Sequence, residues 1–336
     1  MTTRPSALLS FLSFCLICLA LAAVGAGYGV HAYLKKGPLE QPKLVLIEKG
    51  AGVSGIASTL KKEGVISNAL LLKIATRLIN AQAALKAGEY EFPAHAPMAK
   101  VLQMLRDGEV YDRKFTIPEG LTSHQIIKII NKVGDLEGEI ASVPEEGSLL
   151  PETYHFVTGE TKEDKVREMQ TAMQKTLDEL WLSRAPGLPF NTKEEALTLA
   201  SIVEKETGVA SERNRIAGVF VNRLRKGIPL QTDPTVIYAI TKGDVKEGGK
   251  GPLGRRLLLK DLEIDNPYNT YKNAGLPPGP ICNPGRAAIE ATLNPEQHDY
   301  IYFVADGTGG HVFSKTLSEH NKKVADWKKI RRSQNR

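Results

Sequence analysis

The sequence predicts an α+β protein held by a single N-terminal transmembrane helix. Residues Ser6 to Val30 contain no charged side chain. From Leu44 onward, short apolar runs of strand length alternate with stretches whose apolar residues recur at helical spacing. The last third joins long helical patterns to a Pro/Gly/Asn-rich loop and a hairpin pattern. A chain of 336 residues has room for more than one domain, at about 100–200 residues each.

The apolar fraction of 42% is ordinary for a globular chain, so a sizeable core is available. A net charge of +6 is modest and fits plain solubility as well as an anionic surface. No basic stretch interleaves with aromatics, so nucleic acid is not an expected partner. Cys15 and Cys18 lie inside the apolar run, which leaves Cys282 alone and no intrachain disulfide expected. No Cys/His cluster has zinc-ligand spacing; neither a metal nor a cofactor is expected.

The apolar run exceeds the about 20 residues needed to cross a bilayer core. A cleaved signal peptide is the rival reading, with small residues from Ala23 to Gly27. The run is longer than a usual signal h-region, which favours an uncleaved anchor over 6–34 behind a cytoplasmic tail, 1–5. Phe14 before Cys15 argues against lipidation. Arg4 on one side stands against Lys35, Lys36 and Lys43 on the other, and that count alone would place the C-terminal side inside. The chemistry of the C-terminal region outweighs it.

Residues 37–43 read as a linker. Leu44–Ile47 is a strand candidate, and a helix carrying Ile56 and Leu60 ends at Gly64. A helix over Ala69 to Ile79, a strand over Glu89 to Phe92 and a helix over Met98 to Leu105 follow. IEKGAGVSGIASTLKKEG from Ile47 and IPEGLTSHQIIKIINKVG from Ile117 align without gaps at Ile47/Ile117, Gly50/Gly120, Ile56/Ile126, Lys62/Lys132 and Gly64/Gly134. The recurrence describes a strand–turn–helix unit, and the region 44–137 is LysM-like. Residues 138–190 read as a connecting region, with LLPETYHF (149–156) loop-like and a helix running to about Leu182.

NTKEEALTLASIVEKETG (191–208) reads as one helix, capped by Asn191 or Thr192 with Glu194 or Glu195 completing a capping box, and with Gly208 as the C′ residue. At about 100° per residue, Ala196, Ile202 and Val203 fall within roughly 60° of Leu199. Glu206 falls about 20° from Leu199, and Glu204 about 140° away, on the side of Leu197. Glu206 is thus aimed where the apolar residues aim, while Glu204 is expected at solvent or a surface partner. Apolar surroundings and a helix C-terminus both disfavour an ionised carboxylate. A carboxyl kept protonated near neutral pH is what a general acid requires; a structural pairing with Arg or Lys is the plainer alternative.

ASIVEKETGVASERNRIAGVFVNRL, LQTDPTVIYAI, NPYNTYKNAGLPPGPICNPG and YFVADGTGGHVFSKTLSEHN, with the upstream IPEGLT and LLPETYHF, resemble the signature blocks of the MltG (YceG-like) endolytic murein transglycosylases. The resemblance runs from about Leu44 to Asn321. It implies a C-terminal α+β transglycosylase catalytic domain, 191–336, extracytoplasmic on an inner-membrane anchor. It implies endolytic cleavage of the β-1,4 bond between N-acetylmuramic acid and N-acetylglucosamine in peptidoglycan, with 1,6-anhydro ends and a role in terminating nascent strands. Peptidoglycan synthases are the implied protein partners. Lysozyme-like transglycosylases place the acid in a Glu-Ser/Thr pair near a helix end; Glu206-Thr207 matches and Glu204-Lys205 does not.

Within that reading, SERNRIAGVFVNRLRKG is a helix opening at Ser211 and ending at Gly227, with Asn222 and Arg223 in its later turns. The Asn222 amide suits sugar hydroxyls or a helix-packing bond. LQTDPTVIY leads into a helix with Thr232 or Asp233 as N-cap and Pro234 at N1; Gln231 and Asp233 are candidates to line a saccharide groove. Asn269 and Tyr271, in a loop, are candidates for the same groove. YIYFVADGTGGHVFS reads as a hairpin, and DGTGG lacks the Lys-Ser/Thr ending of a phosphate loop. His311 and His320 belong to no ligand-spaced cluster and are expected to be structural. A lysozyme-like hydrolase using Asp233 as second carboxylate, and a membrane-tethered wall-binding scaffold, are the alternatives.

Overall fold

The computed structural model describes residues 7–244 and 252–334. The tail 1–5 of the sequence reading lies outside them. Helix α1 (Ala7–Leu34) presents its large apolar side chains outward: Phe11, Leu16 and Leu21 are all exposed. Its segment Phe11–Leu34, 24 residues, is long and apolar enough to cross a membrane. The chain divides into two compact units, Met1–Arg113 with His155–Thr158, and Lys114–Tyr154 with Gly159–Arg336.

In the first unit, β1 (Lys43–Ile47), α2 (Val53–Lys62), α3 (Ala69–Leu78), β2 (Gly88–Phe92) and α4 (Met98–Asp107) follow in order. β1 and β2 pair antiparallel, Val45 opposite Tyr90. Alternation sends Val45, Ile47, Tyr90 and Phe92 into one core with Ile56, Leu60, Leu72 and Leu105. Asn68 starts α3 by accepting from the amides of Leu70 and Leu71 at 3.0 and 3.2 Å.

β3 (Arg113–Thr116) pairs with β4 (Thr153–Phe156). The sequence reading made 149–156 a loop. Four residues with Tyr154 and Phe156 inward form a strand instead, too short for its alternation to stand out behind Pro151. In the second unit come α5 (Ser123–Asn131), α6 (Lys162–Leu182), α7 (Lys193–Glu206), α8 (Arg213–Arg225), α9 (Asp233–Thr241) and α10 (Arg286–Leu293). The hairpin β5 (Tyr302–Ala305) and β6 (His311–Ser314) and helix α11 (Leu317–Gln334) complete it. Capping boxes start three of these helices: Thr122 with Gln125, Thr161 with Asp164, and Thr192 with Glu195. Of the aligned repeat positions, Gly50 and Gly120 share a left-handed backbone (φ 83° and 74°), whereas Gly64 is left-handed and Gly134 is not.

α7 is the centre of the second unit. It packs against α6, α8, α9 and α10, and Ala196, Leu199, Ala200, Ile202 and Val203 have no exposed surface. Thr198 and Ser201, on other faces, are buried too. Ser201 Oγ accepts from the Ile281 amide at 3.0 Å. A helix surrounded in this way has no wholly solvated face, which corrects the placement of Glu204. That side chain is half-buried and accepts from the Gly285 amide at 3.0 Å, next to the start of α10. Burial, with the neighbouring Glu119 charge, pushes its carboxyl above the usual range. Gly208 sits at C′, directly after the C-cap Thr207, as the sequence suggested. It is not left-handed; Thr207 leaves the helix extended (φ −146°, ψ 131°), and its hydroxyl accepts from the Val209 amide at 2.9 Å. Ser211 sits in a 3₁₀ turn, Ala210–Glu212, ahead of α8.

Candidate active site

Glu206 is the last residue of α7, where the helix runs out of the core into a cavity of about 480 Å³. That is within the range of about 300–1,000 Å³ usual for ligand pockets. Gln231, Thr232 and Asp233 from the start of α9, Tyr271 from the 266–280 loop, Arg223 from α8, and Tyr302 and His320 from the C-terminal segment share its wall. Phe220, Leu230, Phe303 and Leu317 supply apolar surface. The carboxyl is closely surrounded by protein and meets solvent only in part.

The start of α9 aims at the acid. Thr232 occupies the N-cap position but makes no cap bond with its side chain. Its hydroxyl instead donates to Glu206 Oε1. The Thr232 amide donates to Thr270 Oγ1 at 3.1 Å, and Thr235 Oγ1 donates to the Thr232 carbonyl at 2.7 Å, so backbone and side chain are both fixed. Asp233 is then the first helical residue and Pro234 the second, one position later than the sequence suggested. Gln231 is held left-handed (φ 50°), an uncommon conformation for this residue type, with its amide donating to the Thr270 carbonyl at 3.1 Å. Tyr271 donates its hydroxyl to Asp233 Oδ1 at 2.6 Å.

Burial pushes the Glu206 carboxyl above the ordinary carboxylate range. The Thr232 hydroxyl pulls it back, the Asp233 charge adds to the rise, and His311 and Arg223 oppose it; the balance is upward. The Tyr271 hydroxyl is also pushed up, by burial and by its bond to Asp233. Arg223 is 8% exposed, and burial lowers its value below the ordinary one. Its Nε donates to the Ile301 carbonyl at 2.7 Å, and its Nη1 to those of Pro229 and Leu230 at 3.0 and 2.8 Å. A solvated acid would ionise near its ordinary value; the surroundings of this one shift it upward, the direction a general acid needs.

Four of the six residues singled out in the sequence therefore meet in one cavity: Glu206, Gln231, Asp233 and Tyr271. Asn222 and Asn269 do not line it. Asn222 Nδ2 donates to the carbonyls of His298 and Tyr300 at 2.6 and 3.1 Å, tying α8 to the chain before β5. Asn269 is fully buried and donates to the Leu262 and Ile264 carbonyls, both at 2.9 Å, while its Oδ1 accepts from the Tyr271 amide at 3.0 Å. Its amide builds the loop that presents Tyr271. Sequence reasoning treated Thr232 as a cap and passed over Arg223 and Tyr302 as cavity residues. The place of Arg223 on the same helix face as Ile216, Val219 and Phe220 was the available signal for it; nothing local marked Thr232.

The remaining motif resolves locally. His311 Nδ1 lies 2.8 Å from Glu212 Oε2, and its amide donates to Glu212 Oε1 at 3.0 Å. In DGTGG, Asp306 Oδ1 accepts from the amides of Thr308 and Gly310 at 2.7 and 3.2 Å, so the turn closes on its own aspartate. Among the described residues no cluster of His, Cys, Asp and Glu is arranged to hold a metal ion.

Fold and site together define an α+β protein with one membrane-length apolar helix and a cavity built around a single enclosed acid. Residues 45–326 match the family model described as the YceG-like family. The chain belongs to that family. It is 36% identical to a protein of Bacillus subtilis (strain 168) named endolytic murein transglycosylase, over 82% of this chain and 82% of that one. A protein of the same name from Streptococcus pneumoniae (serotype 2, strain D39) is 31% identical; the match covers 93% of this chain but 64% of the longer relative. A solved YceG-like protein from Listeria monocytogenes is 35% identical, covers 84% of this chain and 99% of its own, and superposes with a TM-score of 0.49.

Proposed function

We propose that this protein is a lytic transglycosylase acting on peptidoglycan glycan strands, with Glu206 as its acid and base. The observation that carries the reading is the Glu206 carboxyl at the end of α7, shifted upward by burial and opening on a cavity of ligand size. The names of the B. subtilis and S. pneumoniae relatives support the substrate class. In the reaction, Glu206 gives its proton to the oxygen linking N-acetylmuramic acid to N-acetylglucosamine, and the C1–O bond breaks. The C6 hydroxyl of the same muramyl residue attacks C1, and the Glu206 carboxylate takes that hydroxyl's proton. The chain is cut, the 1,6-anhydro ring closes and the acid is regenerated. Because the nucleophile belongs to the substrate, no second carboxylate is required, unlike ordinary glycosidases. Gln231 and Tyr271 contact the sugar, and the apolar wall limits water at C1.

Asp233 on the same cavity favours a hydrolase as the second reading. Products made in heavy-oxygen water separate the two. Anhydro ends, lighter by one water and free of solvent oxygen, are expected; reducing muramyl ends that carry the heavy oxygen would establish hydrolysis instead.

α1 is the membrane anchor in this reading, with the second unit outside the cytoplasmic membrane near nascent strands and their synthases. The region 44–137 is a LysM-like wall-facing element, supported by the order strand–helix–helix–strand with its two strands antiparallel. A reporter fused after Arg336 is expected to be active only outside the cytoplasm, and the chain to stay with washed membranes. Activity confined to the cytoplasm reverses the orientation; release from the membranes removes the anchor.

A further inference from the structure

His320 lies in the first turn of α11. Its imidazole stacks on Tyr302, 5.0 Å between centroids and 22° between planes. Nδ1 is buried and has no hydrogen-bond partner among the described residues. The ring lines the cavity that holds Glu206. An orphaned buried N–H is rarer than an orphaned acceptor, because a carried proton is costlier to strand than a lone pair. The imidazole therefore keeps its lone pair at Nδ1 and its proton at Nε2. Burial first, then the charges of Arg223 and Lys323, disfavours a second proton.

Arg223 stands by the same tyrosine, its guanidinium carbon 5.1 Å from the Tyr302 centroid. Three backbone carbonyls occupy its Nε and Nη1. No protein acceptor among the described residues takes Nη2. Tyr302 thus carries two donors on the cavity wall, Nε2–H and Nη2, while the one lone pair, at His320 Nδ1, is buried. A carbonyl oxygen, with two lone pairs and no proton, matches such a pair; a hydroxyl brings a proton that neither group receives.

We propose that His320 Nε2–H and Arg223 Nη2 form a subsite for an amide carbonyl of the substrate. The inference rests on the peptidoglycan reading of the Glu206 cavity. Two amides on a glycan strand have this chemistry: the acetamido group of a sugar ring, and the amide joining the lactyl group of muramic acid to its peptide.

The test uses the full chain carrying Glu206→Gln, so that binding is measured without cleavage. His320→Phe keeps a ring against Tyr302 and removes the donor. We expect it to bind soluble glycan strands about tenfold more weakly than the parent, at an unchanged melting temperature. His320→Gln, whose amide nitrogen falls near the position of Nε2, recovers most of the affinity; His320→Asn, whose nitrogen falls near Nδ1, does not. If the acetamido group is the ligand, the penalty of His320→Phe vanishes on de-N-acetylated strands and persists on peptide-free ones. If the lactyl amide is the ligand, the pattern inverts. Equal binding by parent and His320→Phe on intact strands overturns the subsite, as does an equal penalty on both stripped glycans or recovery by Asn alone. A parent that binds no glycan at all removes the peptidoglycan reading itself, an outcome distinct from glycan binding that ignores His320.

Discussion

Thr232 holds the N-cap position of α9, yet its hydroxyl donates to Glu206 Oε1 at the far end of α7. A cap side chain ordinarily serves the amides of its own helix. Here one helix start has given up that bond to fix the orientation of a carboxyl on another. The same bond favours the ionised form of Glu206, against burial and Asp233, which favour the protonated one. An acid that must also act as a base uses both forms, and these influences act on their balance in opposite directions.

Glu206→Gln is expected to lower cleavage by at least about 100-fold, the least that removal of a positioned acid–base group typically costs. Glutamine keeps the shape and accepts from Thr232 but gives up no proton. Glu204→Gln is expected to retain most activity, since its carboxyl serves the Gly285 amide rather than the cavity. Turnover of purified peptidoglycan by both variants checks this. An active Glu206→Gln beside a dead Glu204→Gln would reverse the assignment.

The alkaline limb of kcat/KM reports loss of the Glu206 proton. Asp233→Asn removes a like charge and should move that limb to lower pH. Thr232→Val removes a donor to the carboxylate and should move it to higher pH. The check is a pair of pH–rate profiles shifted in opposite directions. Uniform losses with unmoved limbs would mean that both residues act through binding or packing alone.

Stability should follow the same ionisation. The folded pKa of Glu206 is raised, so between the unfolded value of about 4.3 and the folded one the native state holds a proton that the unfolded chain has released. Stability therefore falls as pH rises through that window and stays lowered above it. Glu206→Gln never ionises and escapes the loss. Thermal melts should place the variant above the parent at neutral pH and level with it at about pH 3, well below the unfolded value, where both side chains are neutral. A variant no more stable at neutral pH would show that burial does not penalise the native carboxylate.

The local devices were readable in the chain because they act between near neighbours. The charge-free run, the capping box of Thr192 with Glu195, the hairpin at 302–314 and the placement of Glu206 on the apolar side of α7 all follow from spacing of a few residues. The same spacing brought Gln231 and Asp233 to notice beside Pro234. Tertiary structure alone decided the rest. A helical wheel assumes one buried face, but α7 is packed by four helices, so Glu204 is half-buried as well. Asn222 and Asn269 were candidates by chemistry and became ties of the framework, because buried amides bond the backbone nearest to them. Thr232, Arg223, Tyr302 and His320 come to Glu206 from three separate stretches of chain. No pattern within one element encodes such a meeting; it exists only once the core around α7 has closed and fixed where each element ends.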